Sequence, residues 1–177
     1  VVYGQAADYE GVINVKNKVL DDGANEASLV YWVTGVAAGT AVNASATNKI
    51  YDGEFDINVD YTQSQLEAAI KAGEFTLHQV GSDVRVLTDI NSLVTTTANK
   101  GDVFKDNQTI RVCDQIATDI ANLFVTKYLG VVPNDASGRT SLWADIVKHH
   151  ENMQSIRAIE NFTDEDVTVD QGETKKS

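Results

Sequence analysis

One amphipathic stretch, residues 109–129, constrains the fold of this chain more than any other. Its apolar residues recur at steps of three and four, which is the period of one face of an α-helix. They are Cys113, Ile116, Ala117, Ile120, Leu123, Phe124 and Tyr128. Polar residues precede the stretch and Gly130 follows it, as is typical of helix ends. We therefore predict a long helix whose apolar face is buried, with Ile120 and Phe124 at the centre of the fold.

Length and charge narrow the class of protein. A chain of 177 residues fits one domain, residues 1–177, and an apolar fraction of 42% is ordinary for a folded protein. The net charge of −12 opposes the phosphate attraction on which general nucleic-acid binding depends. No apolar run approaches the roughly 20 residues of a membrane span. We therefore expect no nucleic-acid partner and no insertion into a membrane.

The remaining patterns predict short strands and further helices. Strands are expected at residues 1–3 and 11–15, a hairpin around the Asp52-Gly53 pair in residues 50–59, a second hairpin over 75–88, and a strand at 167–169. Helices are expected from Glu26 to Gly39 and, with a Thr62/Gln65 capping box, over residues 62–72. A second long helix carries Leu142, Trp143, Ile146, Val147, His150 and Met153 on one side. The predicted fold class is α/β, a mixed β-sheet packed by helices that include two long antiparallel ones.

The search for chemistry finds no catalytic or metal-binding motif. His149 and His150 are consecutive, so their side chains diverge around a helix and do not chelate one ion. The acidic cluster at residues 164–170 lacks the spacing of a calcium loop, and no phosphate loop or nucleophile signature is present. Cys113, the only cysteine, excludes a disulfide framework and is expected to be a buried free thiol. We predict a protein without cofactor that is not an enzyme.

Several stretches in series resemble the contractile tail sheath proteins of phages, prophage-derived particles and R-type bacteriocins such as diffocins. They are DYEGVINV at 8–15, residues 27–39, IYDG at 50–53, GEF at 73–75, residues 84–97 with DINSLV at the centre, residues 110–119, and AIENFTDEDVTV at 158–169. The likeness is to the carboxy-terminal half of such proteins. The chain starts at Val1 without a methionine and ends in a polar segment, so we expect a fragment. The resemblance implies that this fragment lacks the family's N-terminal part and its C-terminal arm.

The resemblance implies a structural subunit of a sheath that surrounds a tail tube and contracts to drive it through a cell envelope. It implies other sheath subunits joined through terminal arms, the tail tube protein and the baseplate as partners. The particle would be made in the bacterial cytoplasm and released. We expect the fragment alone to be a monomer, and Lys148, His149 and Arg157, which interrupt an acidic chain, to face the tube. The competing hypothesis is a small-molecule or peptide-binding α/β domain with Trp32, Tyr51 and Trp143 near a pocket.

Overall fold

A computed structural model of the chain describes residues 1–173. The chain divides into two compact units, Val1–Ile110 and a second that begins at Arg111. The single domain predicted from the length stays a prediction. Each unit has its own set of buried apolar residues, and we describe each by itself.

Two small sheets organise the first unit. Strands β1 (Val2–Tyr3), β2 (Asn14–Val15) and β3 (Glu74–Phe75) form a parallel sheet in the order β1-β2-β3. Strands β4 (Leu77–Val80) and β5 (Asp83–Val86) form an antiparallel hairpin, in which Val80 pairs with Asp83. Gly81, in the turn, has a φ of +59°, which glycine adopts at little cost. This second pair is the hairpin that alternating apolar residues predicted.

Two helices of the first unit begin and end close to their predicted positions. Helix α1 (Leu29–Gly39) buries Leu29, Val33 and Val36, as its spacing predicted. Helix α2 (Gln63–Lys71) starts at the Thr62/Gln65 capping box, in which each side chain bonds the other residue's backbone. The hydrophobic core of this unit consists of Val15, Val19, Leu29, Val33, Ile57, Phe75, Leu77 and Val86.

Residues 50–59 do not form the predicted hairpin. Ile50 pairs with Arg85, whereas Ile57 pairs with Val19. The two sides of the Asp52-Gly53 turn thus bond to different parts of the chain. A turn signal is local, and here the long-range pairings with buried neighbours prevail over it.

The second unit contains two long helices. Helix α3 (Asn107–Leu123) belongs to it from Arg111 onward and continues in a π-helical turn at Phe124–Tyr128, followed by helix α4 (Ala136–Ser155). His149 bonds to Asp119, and Asp145 bonds to Lys127. A later position on the first helix therefore meets an earlier one on the second, so the helices are antiparallel. The predicted fold class, α/β with two long antiparallel helices, is confirmed.

The apolar stripe of α3 is only partly covered, which corrects the sequence analysis. Val112 is buried and Ile120 half-buried, but Phe124 is 42% exposed and Cys113 is also exposed. Because α3 meets α4 through the side that carries Asp119, one flank of the stripe faces outward. The prediction of a central, buried Phe124 was wrong, and so was the buried thiol. The hydrophobic core cluster of buried residues lies in the first unit.

Residues 167–169 form no strand in the described structure. A single 3-10 turn, Asp164–Asp166, precedes them, and Asp166 accepts hydrogen bonds from the backbone and side chain of Thr163. The carbonyl of Val167 then accepts a hydrogen bond of 3.0 Å from the indole N–H of Trp143. The hydrogen-bond partner of this extended segment is therefore an indole N–H on α4 and not a neighbouring strand.

Candidate assembly surfaces

A polar clamp fastens residues 8–12 to residues 91–100 in the first unit. The Asp8 carboxylate accepts hydrogen bonds from the backbone N–H groups of Val94, at 2.7 Å, and Thr95, at 2.8 Å. Ser92 accepts from the Tyr9 N–H at 3.3 Å and donates to the Tyr9 carbonyl at 2.9 Å. Two stretches that carry the sheath resemblance, DYEG and DINSLV, are therefore direct neighbours although more than 80 residues separate them.

Electrostatics strengthens the clamp. Hydrogen bonds from the Thr95 side chain and backbone and from the Val94 backbone lower the pKa of Asp8 to about 2. Glu10 accepts a 2.6 Å hydrogen bond from Lys100, which lowers the pKa of that carboxyl. Both carboxylates are thus held in the charged form. The clamp connects the segment that follows the edge strand β1 to residues 91–100 of the same unit.

Two of the three residues that the sequence assigned to a tube contact are solvent-exposed, and the third is held by a carboxylate. Lys148 is exposed on α4. The His149 side chain is 20% exposed, and its Nε2 lies 2.8 Å from Asp119 Oδ2. The pKa of Asp119 is lowered mainly by a hydrogen bond from Gln115 and next by the one from His149. His149 therefore fixes α4 against α3.

Arg157 is exposed and ends α4 in a left-handed conformation, with φ +62°. Its N–H bonds the Gln154 carbonyl, and the Ala158 N–H bonds the Met153 carbonyl, which together make a Schellman motif. Glycine occupies this position with the least strain. An arginine here therefore costs stability that glycine would save.

The side chains considered for chemistry do not converge. Among residues 1–173 there is no group of three or more His, Cys, Asp or Glu that could hold a metal ion. His150 stacks on Phe162 with ring centroids 5.0 Å apart and meets His149 edge-on. No described helix is long and apolar enough to cross a membrane.

The aromatic residues proposed to line one pocket are divided between the two units. Trp32 and Tyr51 make an edge-to-face contact at 5.0 Å, and the Trp32 indole donates to Asp52 at 2.8 Å. Trp143 belongs to the second unit, where it bonds Val167. These contacts are structural.

An exposed group of apolar side chains lies just after α3, and its exposure was not predicted from the sequence. Four large apolar residues within residues 124–131 are more than two-fifths exposed: Phe124 (42%), Val125 (60%), Leu129 (58%) and Val131 (74%). We call them the apolar ridge. The signal was available, because the sequence FVTKYLGVV has more apolar residues than one helix face can bury. Exposed apolar groups of this kind mark interaction surfaces.

Two sheath-family profiles match successive parts of the chain. The phage tail sheath protein central domain matches residues 1–92, and the phage tail sheath C-terminal domain matches residues 99–177. Together they account for nearly the whole chain.

Individual relatives agree with the profiles. The chain is 32% identical over 187 residues to phage-like element PBSX protein XkdK of Bacillus subtilis, covering 99% of the chain and 40% of that protein. It is 35% identical over 131 residues to the tail sheath protein of Clostridium phage phiCD119, covering 72% of the chain and 36% of that protein. The chain thus spans about two-fifths of the length of these relatives.

The fold matches a solved sheath structure. The crystal structure of the sheath tail protein from Desulfitobacterium hafniense superposes with a TM-score of 0.83 at 40% identity, covering 93% of this chain and 40% of that one. Fold, profiles and relatives therefore agree with the serial order of motifs in the sequence, and the chain belongs to the phage tail sheath protein family.

Proposed function

We propose that this chain is the body of a structural subunit of a contractile tail sheath, which surrounds a tail tube and shortens to drive it through a target cell envelope. The observation that carries the proposal is the consecutive match to a central and a C-terminal sheath domain. The particle is a phage tail or a tail-like particle, such as a prophage remnant or an R-type bacteriocin of the diffocin kind. It is made in the bacterial cytoplasm and released from the cell.

The edges of the parallel sheet can pair with a strand from a neighbouring subunit. In the order β1-β2-β3, β1 and β3 each pair with β2 on one side. A sheet edge presents backbone donors and acceptors that an arm from a neighbouring subunit can pair with. Such main-chain bonds hold neighbours together while the subunits rotate. The clamp at Asp8 and Ser92 then carries tension from β1 to the rest of the first unit.

The proposed work of contraction needs no catalytic site. A metastable assembly that relaxes to a more stable packing releases free energy without a nucleotide. We therefore infer a structural, non-enzymatic role with no cofactor. The partners are other sheath subunits, the tail tube protein and the baseplate.

We propose that exposed positive charge on and after α4 faces the tube. Lys148 and Arg157 supply the charge, and His149 positions the helix through Asp119. The strained backbone at Arg157 supports this assignment. Lys148→Glu combined with Arg157→Glu in the complete protein should impair assembly around the tube. Lys71→Glu, at an exposed lysine on α2, is the control for a single charge reversal. Normal particles from the double variant would contradict the tube contact.

Electron microscopy tests the function itself. The product of the complete reading frame that encodes this chain should polymerise into long hollow tubes. A small-molecule or peptide-binding domain would remain dispersed at the same concentration.

The 177-residue chain alone should behave differently. The relatives extend well beyond the matched region, and we assign the linking arms to those additional residues. Without arms the remaining contacts are modest in area, and the charge of −12 adds repulsion. Light scattering at micromolar concentration should return 19.2 kDa. A stable ring or filament would show that the arms are not what holds the subunits together.

A further inference from the structure

The apolar ridge has an unusual backbone. The Leu129 N–H bonds the Phe124 carbonyl, five residues back, so the end of the long helix is a π-helical turn. Such turns are rare and occur frequently at functional sites. The turn brings Phe124 and Leu129 to the same cleft in the second unit and leaves both more than two-fifths exposed.

A second open surface lies in the first unit. An open cleft of about 570 Å³ lies beside α1 and the loop that follows it. Its lining is dominated by small residues, namely Gly35, Gly39, Ala41, Ala44 and Ser45, with Trp32 at one side. For comparison, an apolar cavity of roughly 150 Å³ accepts a benzene molecule. The cleft therefore has room for more than one large apolar side chain.

Two glycines of this cleft are not explained by local geometry. A Cβ atom built on Gly35 or Gly39 meets no atom of the described residues within 4 Å, and neither residue has a positive φ. Glycine inside a helix is less stable than alanine. Glycine at both positions leaves this side of the cleft free of side-chain atoms.

We propose that the apolar ridge of one copy packs against the small-residue cleft of a neighbouring copy. This inference rests on the proposed sheath function, and it names the surfaces that adjacent subunits use besides their arms. Ridge and cleft are different surfaces of one chain, so the contact is heterologous. A heterologous contact that does not close into a ring generates an open helical assembly.

Charge permits a second copy as the occupant. Two chains of net charge −12 repel each other over most of their surfaces. The cleft has one lysine and one aspartate, Lys49 and Asp52, in its lining. Within residues 124–132 the only charged side chain is Lys127, which bonds Asp145 at 2.5 Å. Two copies can therefore meet here with little electrostatic cost.

Disulfide trapping tests the contact directly. In a Cys113→Ser background, one chain carries both Leu129→Cys and Ala41→Cys, in the product of the complete reading frame. After assembly and mild oxidation, denaturing gels should show a ladder of linked subunits, because a disulfide needs Cα atoms within about 7 Å. The control pairs Ala41→Cys with Thr118→Cys, which is exposed on α3 away from the apolar stripe. Tubes that form without a ladder would overturn the inference and leave the sheath function intact.

Two further variants separate assembly from folding. Gly35→Leu should fill the cleft, raise the melting temperature of the 177-residue chain and reduce sedimentable tubes of the complete protein at least tenfold. Val125→Glu should reduce tubes similarly with an unchanged melting temperature, whereas Thr118→Glu should leave both unchanged. Full tube yield from both Gly35→Leu and Val125→Glu would overturn the ridge and cleft contact. Absence of tubes from the unsubstituted protein would overturn the sheath function, and with it this inference.

Discussion

Replacing Asn17 by alanine should destabilise the first unit more than its size suggests. Asn17 is fully buried, and its amide donates to the Asn58 carbonyl at 2.7 Å and to the Leu77 carbonyl at 2.8 Å. Its carbonyl accepts from the Leu77 N–H at 2.7 Å. The side chain thus joins the segment after β2 to the loop at Asn58 and to β4.

The magnitude follows from the groups left without partners. Leu77 is also fully buried, so its N–H and C=O would each lose a bond at about 1–3 kcal/mol. Asn17→Ala should therefore lower the free energy of unfolding by about 2–6 kcal/mol, a large fraction of the roughly 5–15 kcal/mol of a typical domain. Asn99→Ala, at an exposed loop position, should change it by less than about 0.5 kcal/mol.

Urea unfolding followed by Trp32 fluorescence measures the effect on the first unit. A Trp143→Phe background removes the second tryptophan, which belongs to the other unit. Equal midpoints for Asn17→Ala and Asn99→Ala would refute the reasoning.

Asn17→Asp tests the direction in which the stability of the first unit should change with pH. Its carboxylate would face two carbonyl oxygens in place of the amide donors, which raises its folded pKa above the unfolded value. The variant should therefore be most stable below the unfolded pKa and lose stability as the pH rises through the folded pKa. A pH-independent stability difference from the native chain would contradict this.

Three further outcomes follow from burial, charge and backbone conformation. Phe75→Ala should cost about 3–5 kcal/mol in urea unfolding, because Phe75 is 1% exposed, whereas Phe124→Ala should cost under about 2 kcal/mol. Asp8→Asn should reduce the loss of thermal stability between about pH 4 and pH 2. The lowered pKa of Asp8 stabilises the fold at pH values above the pKa of this carboxyl in the unfolded chain, and that stabilisation is lost as the pH falls through about 2. Asp22→Asn, at an exposed position, should leave the calorimetric profile unchanged. Arg157→Gly should raise the free energy of unfolding by up to about 1 kcal/mol while weakening attachment to the tube, because glycine relieves the left-handed backbone.

Local signals in the sequence were reliable where the structure they encode is local. The Thr62/Gln65 pair formed its capping box, and Gly73 ends the segment after α2 with a φ of +67°. A Cβ on Gly73 would also lie 2.9 Å from the Ser92 backbone, a close approach that no sequence pattern announces.

The periodicity of α3 identified the helix but not its orientation. A stripe of apolar residues shows which side of a helix can be buried. The element that packs against the helix determines which part of that side is buried. Here Asp119 bonds His149, so α4 covers one side and Phe124 is left exposed. The same reasoning explains why Cys113 was assigned to the core and is exposed.

The candidate surfaces depend on contacts between distant residues. The clamp joins Asp8 to Thr95, and the two sequences have no pattern that pairs them. The left-handed Arg157 was invisible because arginine has no preference for that conformation. Serial order of motifs nevertheless identified the family, since order along the chain needs no knowledge of contacts.

Cryo-electron microscopy of the assembled product of the complete reading frame tests the central claim most directly. The account predicts hollow helical tubes in whose map the first and second units are resolved in every subunit, with residues 124–131 of one copy against α1 of the next. A monodisperse, unassembled protein under the same conditions would contradict the assignment of this chain to a contractile sheath.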